Sequence, residues 1–109
     1  MVVTTVDRDG RLADQTPVTH VGWSPGDTVA LHTRAGPVIV ARTPPARADT
    51  RTVITKRGHL RLPLHIRRIC ELVTGDRVVI VAHREPGELI IMPASIVADF
   101  VTTHRGEDP

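Results

Sequence analysis

The apolar positions of this chain fall into two patterns, and each pattern occurs twice. In DTVALHTRAGPVIVAR, Asp27 to Arg42, two runs rich in β-branched residues flank Arg34-Ala35-Gly36. In DRVVIVAHREPGELIIM, Asp76 to Met92, two more flank Glu85-Pro86-Gly87. Such runs around turn-forming residues predict β-hairpins. Ahead of the second hairpin, Leu60, Leu62, Leu64 and Ile66 alternate with polar residues, as on a half-buried surface. A helix follows in PLHIRRICEL: Pro63 suits an N-terminal position, where its missing N–H costs nothing. Ile66, Ile69 and Cys70 then fall at i, i+3 and i+4, which predicts one apolar face with Arg67 and Arg68 pointing away from it. The matching stretch ahead of the first hairpin, DQTPVTHVGW, holds Pro17, two threonines and Gly22, so its helix is expected to be short or absent. Near the end, Ser95 can cap a helix whose apolar stripe is Ile96, Val97, Phe100 and Val101.

Laid over one another, the two halves share an order of elements. Gly10 falls on Gly58 and Leu12 on Leu60. After one residue of slippage, Gly26-Asp27 falls on Gly75-Asp76, and Val29 and Leu31 on Val78 and Ile80. Each copy reads as strand, glycine turn, short strand, helical turn, Gly-Asp turn and hairpin. The expected organisation is a first repeat over 1–42, a proline-rich linker over 43–50, a second repeat over 51–93, and a C-terminal helix with a frayed tail over 94–109. The linker TPPARAD, if extended at roughly 3.3 Å per residue, spans about 23 Å. That length allows the two copies to pair within one chain. Gly10, Gly26, Gly58 and Gly75 read as turn residues, and Trp23, at the position of Leu72, reads as a core plug.

Composition narrows the function. The 109 residues include only two aromatics, Trp23 and Phe100, and no tyrosine. Proteins that grip single strands stack bases on aromatic rings, so that class is not expected here. Cys70 is alone, which predicts a reducing compartment, and no run is apolar and long enough to span a bilayer. The opening MVVTTVDRDG lacks the features of a signal peptide, so a cytoplasmic protein is expected.

The net charge of +2 conceals an asymmetry. Residues 1–50 carry five arginines and five aspartates. Residues 51–93 carry eight basic side chains against four acidic ones, and residues 94–109 carry one arginine against three acids. From Arg51 to Arg68 there is no acid at all. A localised basic patch is the electrostatic footprint of an anionic partner.

The second copy resembles the AbrB/MazE/SpoVT swapped-hairpin superfamily. The residues that carry the likeness are Lys56-Arg57-Gly58, Leu62-Pro63, Arg67-Arg68, Gly75-Asp76 and the hairpin from Val78 to Met92. The first copy matches through DRDGRL, SPGD and its hairpin, and two copies in one chain resemble the tandem arrangement of the MraZ branch. The resemblance implies a mainly β fold: a small swapped-hairpin, double-psi-like β-barrel built from two tandem ββαββ repeats, with short helices. It also implies DNA binding through Lys56, Arg57, Arg67 and Arg68. His59 stands where family members often have Arg or Asn.

The expected function is therefore a sequence-specific double-stranded DNA-binding transcriptional regulator, with candidate contacts Arg51, Lys56, Arg57, His59, Arg61, Arg67 and Arg68. Lys56 and Arg61 suit phosphates, while Arg57, Arg67 or Arg68 suit guanine edges. The first copy, with Asp7, Asp9 and Asp14 near its turn, is expected to complete the fold rather than meet DNA. One good DNA face per chain predicts a homodimer on an inverted repeat. The alternative is an antitoxin that binds a toxin protein and autoregulates its operon, although the tail of about 16 residues is short for wrapping a toxin. No catalytic motif stands out, and no cofactor is expected. Cys70, His65 and His59 fit no zinc spacing, and a buried structural thiol is the simpler reading of Cys70.

Overall fold

A computed structural model describes residues 1–34, 36–43 and 50–97. The element order is β1 (Val2–Thr5), α1 (Thr16–His20), β2 (Thr28–Arg34), β3 (Val38–Arg42), β4 (Thr50–Val53), α2 (Leu64–Ile69), β5 (Arg77–His83) and β6 (Glu88–Pro93). Residues 94–97 begin a further helical segment. Both predicted hairpins form, as β2–β3 and β5–β6. Val29 and Leu31 share one face, as do Ile39 with Ala41, Val78 with Ile80, and Leu89 with Ile91, and all eight join the core; Ala30, Val40 and Val79 between them are buried as well.

The six strands form one antiparallel sheet in the order β1-β5-β6-β3-β2-β4. The hairpins meet in the middle, with Ile39 opposite Ile91 and Val40 opposite Ile90. Each edge strand pairs with the hairpin of the other half of the chain. Val2 lies opposite Ile80 and Thr5 opposite Arg77, while Thr28 lies opposite Val53 and Leu31 opposite Thr50. The Gly-Asp turns extend this crossing. The Val6 N–H donates to the Asp76 carbonyl (2.9 Å), and the Gly75 N–H donates to the Val6 carbonyl (2.7 Å). In the same way the Ile54 N–H donates to Asp27 (2.9 Å), and the Gly26 N–H donates to Ile54 (2.8 Å).

The sheet does not close into the barrel that the resemblance implies. β1 and β4 are its two edges, and no strand pairing joins them. What lies between them is a seam of short bridges: Val6 with Leu12, and Arg11 with Arg61. The Leu12 N–H donates to Leu60 (2.9 Å) and the Leu62 N–H to Gly10 (2.8 Å). The turn segments of the two halves thus interlock over one face of the sheet. They carry Leu12, Leu60 and Leu62 into the core beside Val18, Trp23, Ile66, Cys70 and Leu72 from the helical segments. Trp23 and Leu72 each donate the backbone N–H five residues back, to Val18 (3.1 Å) and Arg67 (2.8 Å).

α1 forms and is short, as expected: five residues with Pro17 in its first turn. Two local expectations change. On α2, Ile66 and Cys70 are buried but Ile69 is 55% exposed, so the apolar face is narrower than the spacing predicts. Ser95 lies inside the helical segment that has already started at 94, so it is not the cap. Phe100, Val101 and linker residues 44–49 lie outside the described residues.

Candidate nucleic-acid interface

The site begins with two turns of the same make. In the first half, the Gly10 N–H donates to Asp7 (3.0 Å) and the Asp7 N–H to Arg11 (2.9 Å). In the second, the Gly58 N–H donates to Thr55 (2.9 Å) and the Thr55 N–H to His59 (2.9 Å). A short oxygen-bearing side chain at the first position locks each loop: Asp7 Oδ1 accepts the Arg11 N–H (2.8 Å), and Thr55 Oγ1 accepts the His59 N–H (2.9 Å). Gly10 and Gly58 both adopt positive φ, +82° and +86°. One backbone design therefore presents different chemistry in the two halves.

In the first turn the charge is consumed locally. Arg11 Nε meets Asp7 Oδ2 at 2.7 Å, and its Nη2 meets Asp9 Oδ2 at 3.3 Å. Burial opposes the Asp7 charge, but hydrogen bonds from the Arg11 amide and guanidinium and from the Asp9 amide outweigh it, so the carboxyl titrates below its ordinary range. In the second turn, Lys56 and Arg57 are exposed, and no ion pair among the described residues neutralises them. Among the described residues, none of Arg51, Lys56, Arg57, Arg61, Arg67 and Arg68 is ion-paired; the ion pairs there involve Arg11, Arg42 and His83.

The remaining candidates divide by what they touch. Arg51, on β4 opposite Ala30, is exposed, and so is Arg68 on α2. Arg61 is exposed but anchored, its Nε donating to the Asp9 carbonyl at 2.9 Å. Arg67 is half-buried and donates from Nε to the Leu62 carbonyl (2.9 Å). It packs so closely under Gly10 that a Cβ there would stand 2.7 Å from Arg67 Nε and 2.7 Å from the Leu62 oxygen. His59 has both ring nitrogens engaged. Nδ1 faces the Leu12 carbonyl (3.0 Å), which only accepts, so Nδ1 carries the hydrogen and Nε2 accepts from the Gln15 amide (3.2 Å). His59 thus bonds the halves together, and Arg67 packs against the first half's turn.

These contacts set each basic element against the other half of the chain. The turn at Gly58 lies beside Gln15, just ahead of α1, with the Gln15 Oε1 at 3.4 Å from a Cβ placed on Gly58. α2 instead brings Arg67 beneath the first half's turn at Gly10. Sequence reasoning missed Gln15 and the carbonyls of Asp9 and Leu12, because nothing local marks a residue whose role is to meet the other half.

The metal reading finds no cluster: among the described residues, no three His, Cys, Asp or Glu side chains converge. His65 Nε2 instead meets Thr50 Oγ1 at 2.7 Å, and Cys70 is buried, which pushes its thiol pKa up. No described helix is long and apolar enough to cross a membrane. Compared with known proteins, the chain matches no family model, no curated protein and no solved structure.

Proposed function

We propose that this chain is a sequence-specific double-stranded DNA-binding regulator of AbrB type, in which the second repeat supplies the contacts and the first completes the fold. The observation that carries this reading is the difference between the two turns. Built on the same hydrogen bonds, one is neutralised by Asp7 and Asp9, while the other leaves Lys56 and Arg57 unpaired among the described residues. A solvated surface has no reason to concentrate unpaired cations on one of two equivalent positions. A polyanionic partner does.

The strand order supports the swapped-hairpin, tandem-repeat part of the reading. Exchanging β1 with β4, β2 with β5 and β3 with β6 reverses the order β1-β5-β6-β3-β2-β4 and leaves every pairing intact. In this reading Arg57 and Arg68, exposed and with no side-chain bond among the described residues, read base edges. Arg67 and His59 position them by fixing the seam. Two chains associate to present two such faces. Leu64, Ile69 and Val73, exposed at 50%, 55% and 65%, stand where the first half has Gln15, His20 and Ser24, and they offer the apolar surface for that contact.

The test is a gel shift on duplexes selected from random sequence. Arg57→Ala/Arg68→Ala is expected to weaken operator binding at least tenfold, since a bidentate contact to guanine contributes about 1–3 kcal/mol. Arg8→Ala/Arg11→Ala is expected to change it less than threefold. Equal losses in the two variants would sink the asymmetric reading.

A further inference from the structure

We propose that a groove along β4 seats the phosphodiester backbone of one DNA strand, and that only the second half of the chain possesses such a seat. The groove, of about 720 Å³, is lined by Arg51, Lys56 and Arg61 together with Gly26, Val53 and Thr55, and among the described residues no carboxylate lines it. Arg61 is held in place from two directions: its Nε donates to the Asp9 carbonyl (2.9 Å), and its own carbonyl accepts from Thr52 Oγ1 (2.8 Å).

The first half acts as an internal control. Val6 and Ile54 make the same pair of bonds to the opposite Gly-Asp turn, so counting from them aligns the halves. Val3 then matches Arg51, Asp7 matches Thr55, Arg8 matches Lys56 and Ala13 matches Arg61. The same backbone is built with one cation instead of three, and with Asp7 in place of a neutral threonine. The fold does not need the cations of the groove. Its opening also differs. The Ala13 N–H donates to the Thr5 carbonyl (3.0 Å) and draws that segment onto β1, whereas among the described residues no backbone bond joins Arg61 to Val53, and the groove lies there.

The chemistry selects phosphate rather than base. Three long cations along an open track, with no aromatic surface between them, match a row of phosphodiesters and offer no platform for stacking. The groove shares Lys56 with the proposed DNA-contacting turn, so the two are continuous. This assignment rests on the DNA-binding reading. It adds that binding strength and sequence reading are separable, the groove serving the first.

The experiment compares wild type with Arg51→Gln/Lys56→Gln/Arg61→Gln on a selected operator and on random-sequence duplex, from about 50 to about 200 mM salt. Neutralising three phosphates contributes roughly 0.9 each to the slope of log K against log salt. The triple variant is expected to lose about 2.7 from that slope, equally on both duplexes, which makes its affinity about 40-fold less salt-sensitive over this range. Arg51→Gln/Lys56→Gln keeps the Arg61 anchor and is expected to lose about 1.8. Wild-type binding with an unchanged slope in both variants overturns the groove assignment alone. A wild type that binds no duplex at low salt overturns it together with the functional reading. Inorganic pyrophosphate and polyglutamate are run as competitors. Displacement of random duplex by either at a lower charge concentration than by unlabelled duplex assigns the groove to a small anion or an acidic chain and overturns the proposal.

Discussion

At the scale of single residues, the carboxylates decide how the protein responds to acid. The amide and hydroxyl of Thr16, both donating to Asp14, lower its pKa, and Arg42 and His83 lower that of Glu88, which is almost fully buried. Asp7 is lowered as well. A carboxyl whose folded pKa is depressed contributes stability above its ordinary value and loses it as pH falls through the folded one. The ordinary values are 3.8 for aspartate and 4.5 for glutamate. With respect to these groups, the urea midpoint is expected to be flat from pH 7 to 5, to fall below about pH 4.5, and to keep falling below 3.8. Asp7→Asn is expected to shallow the fall below pH 4, and an acid limb unchanged in Asp7→Asn would exclude the role given to that carboxylate. The glycines were legible as turn residues. That Gly10 must also admit the Arg67 guanidinium was not, because the two meet only when the halves assemble.

At the scale of elements, the hairpins were legible because a run of β-branched residues favours a strand locally and a tight turn is a property of a few residues. The helices were less so. α1 and α2 are five and six residues long, too short for periodicity to fix a face, which is why Ile69 is exposed against expectation. Both helices are followed by a residue of positive φ. Gly22 takes φ +80° after α1, and Glu71 takes φ +54° after α2. A residue with a Cβ pays about 1–2 kcal/mol for that conformation, and glycine returns part of the gain as unfolded-state entropy. Glu71→Gly is therefore expected to stabilise the protein by about 0.5–1 kcal/mol, and Gly22→Ala to destabilise it by a similar amount, both read from urea midpoints. A destabilised Glu71→Gly would mean that the Glu71 side chain holds something in place.

At the scale of the molecule, neither half owns a complete sheet. β1 and β4 each lie against the other half's hairpin, the central pairing of β3 with β6 joins the halves, and their turns bond across the seam. Peptides spanning 1–43 and 50–97 are expected to be unfolded apart, since a lone hairpin is at best marginally stable. Mixed in equal amounts, they are expected to recover the β-sheet circular dichroism of the intact chain. A folded spectrum from either peptide alone would contradict the crossing of strands as the source of stability. The basic surface belongs to this scale as well. The absence of acids from Arg51 to Arg68 was visible in the chain, but which of those cations are free and which are spent on carbonyls was not.

The sequence by itself determined two hairpins, two glycine turns, two Gly-Asp turns and the uneven charge of the halves. Each depends on neighbouring residues: alternation, positive φ, or a run without acids. The tertiary structure alone decided that the strands cross between halves, that the sheet stays open, and that His59 and Arg67 serve the seam. It also decided that Arg51, Lys56 and Arg61 line one groove. The reason is physical. Those features are contacts, or consequences of contacts, between residues distant along the chain, such as Gln15 with His59, Asp9 with Arg61 and Val2 with Ile80, and a backbone amide records no preference for which distant carbonyl it will meet.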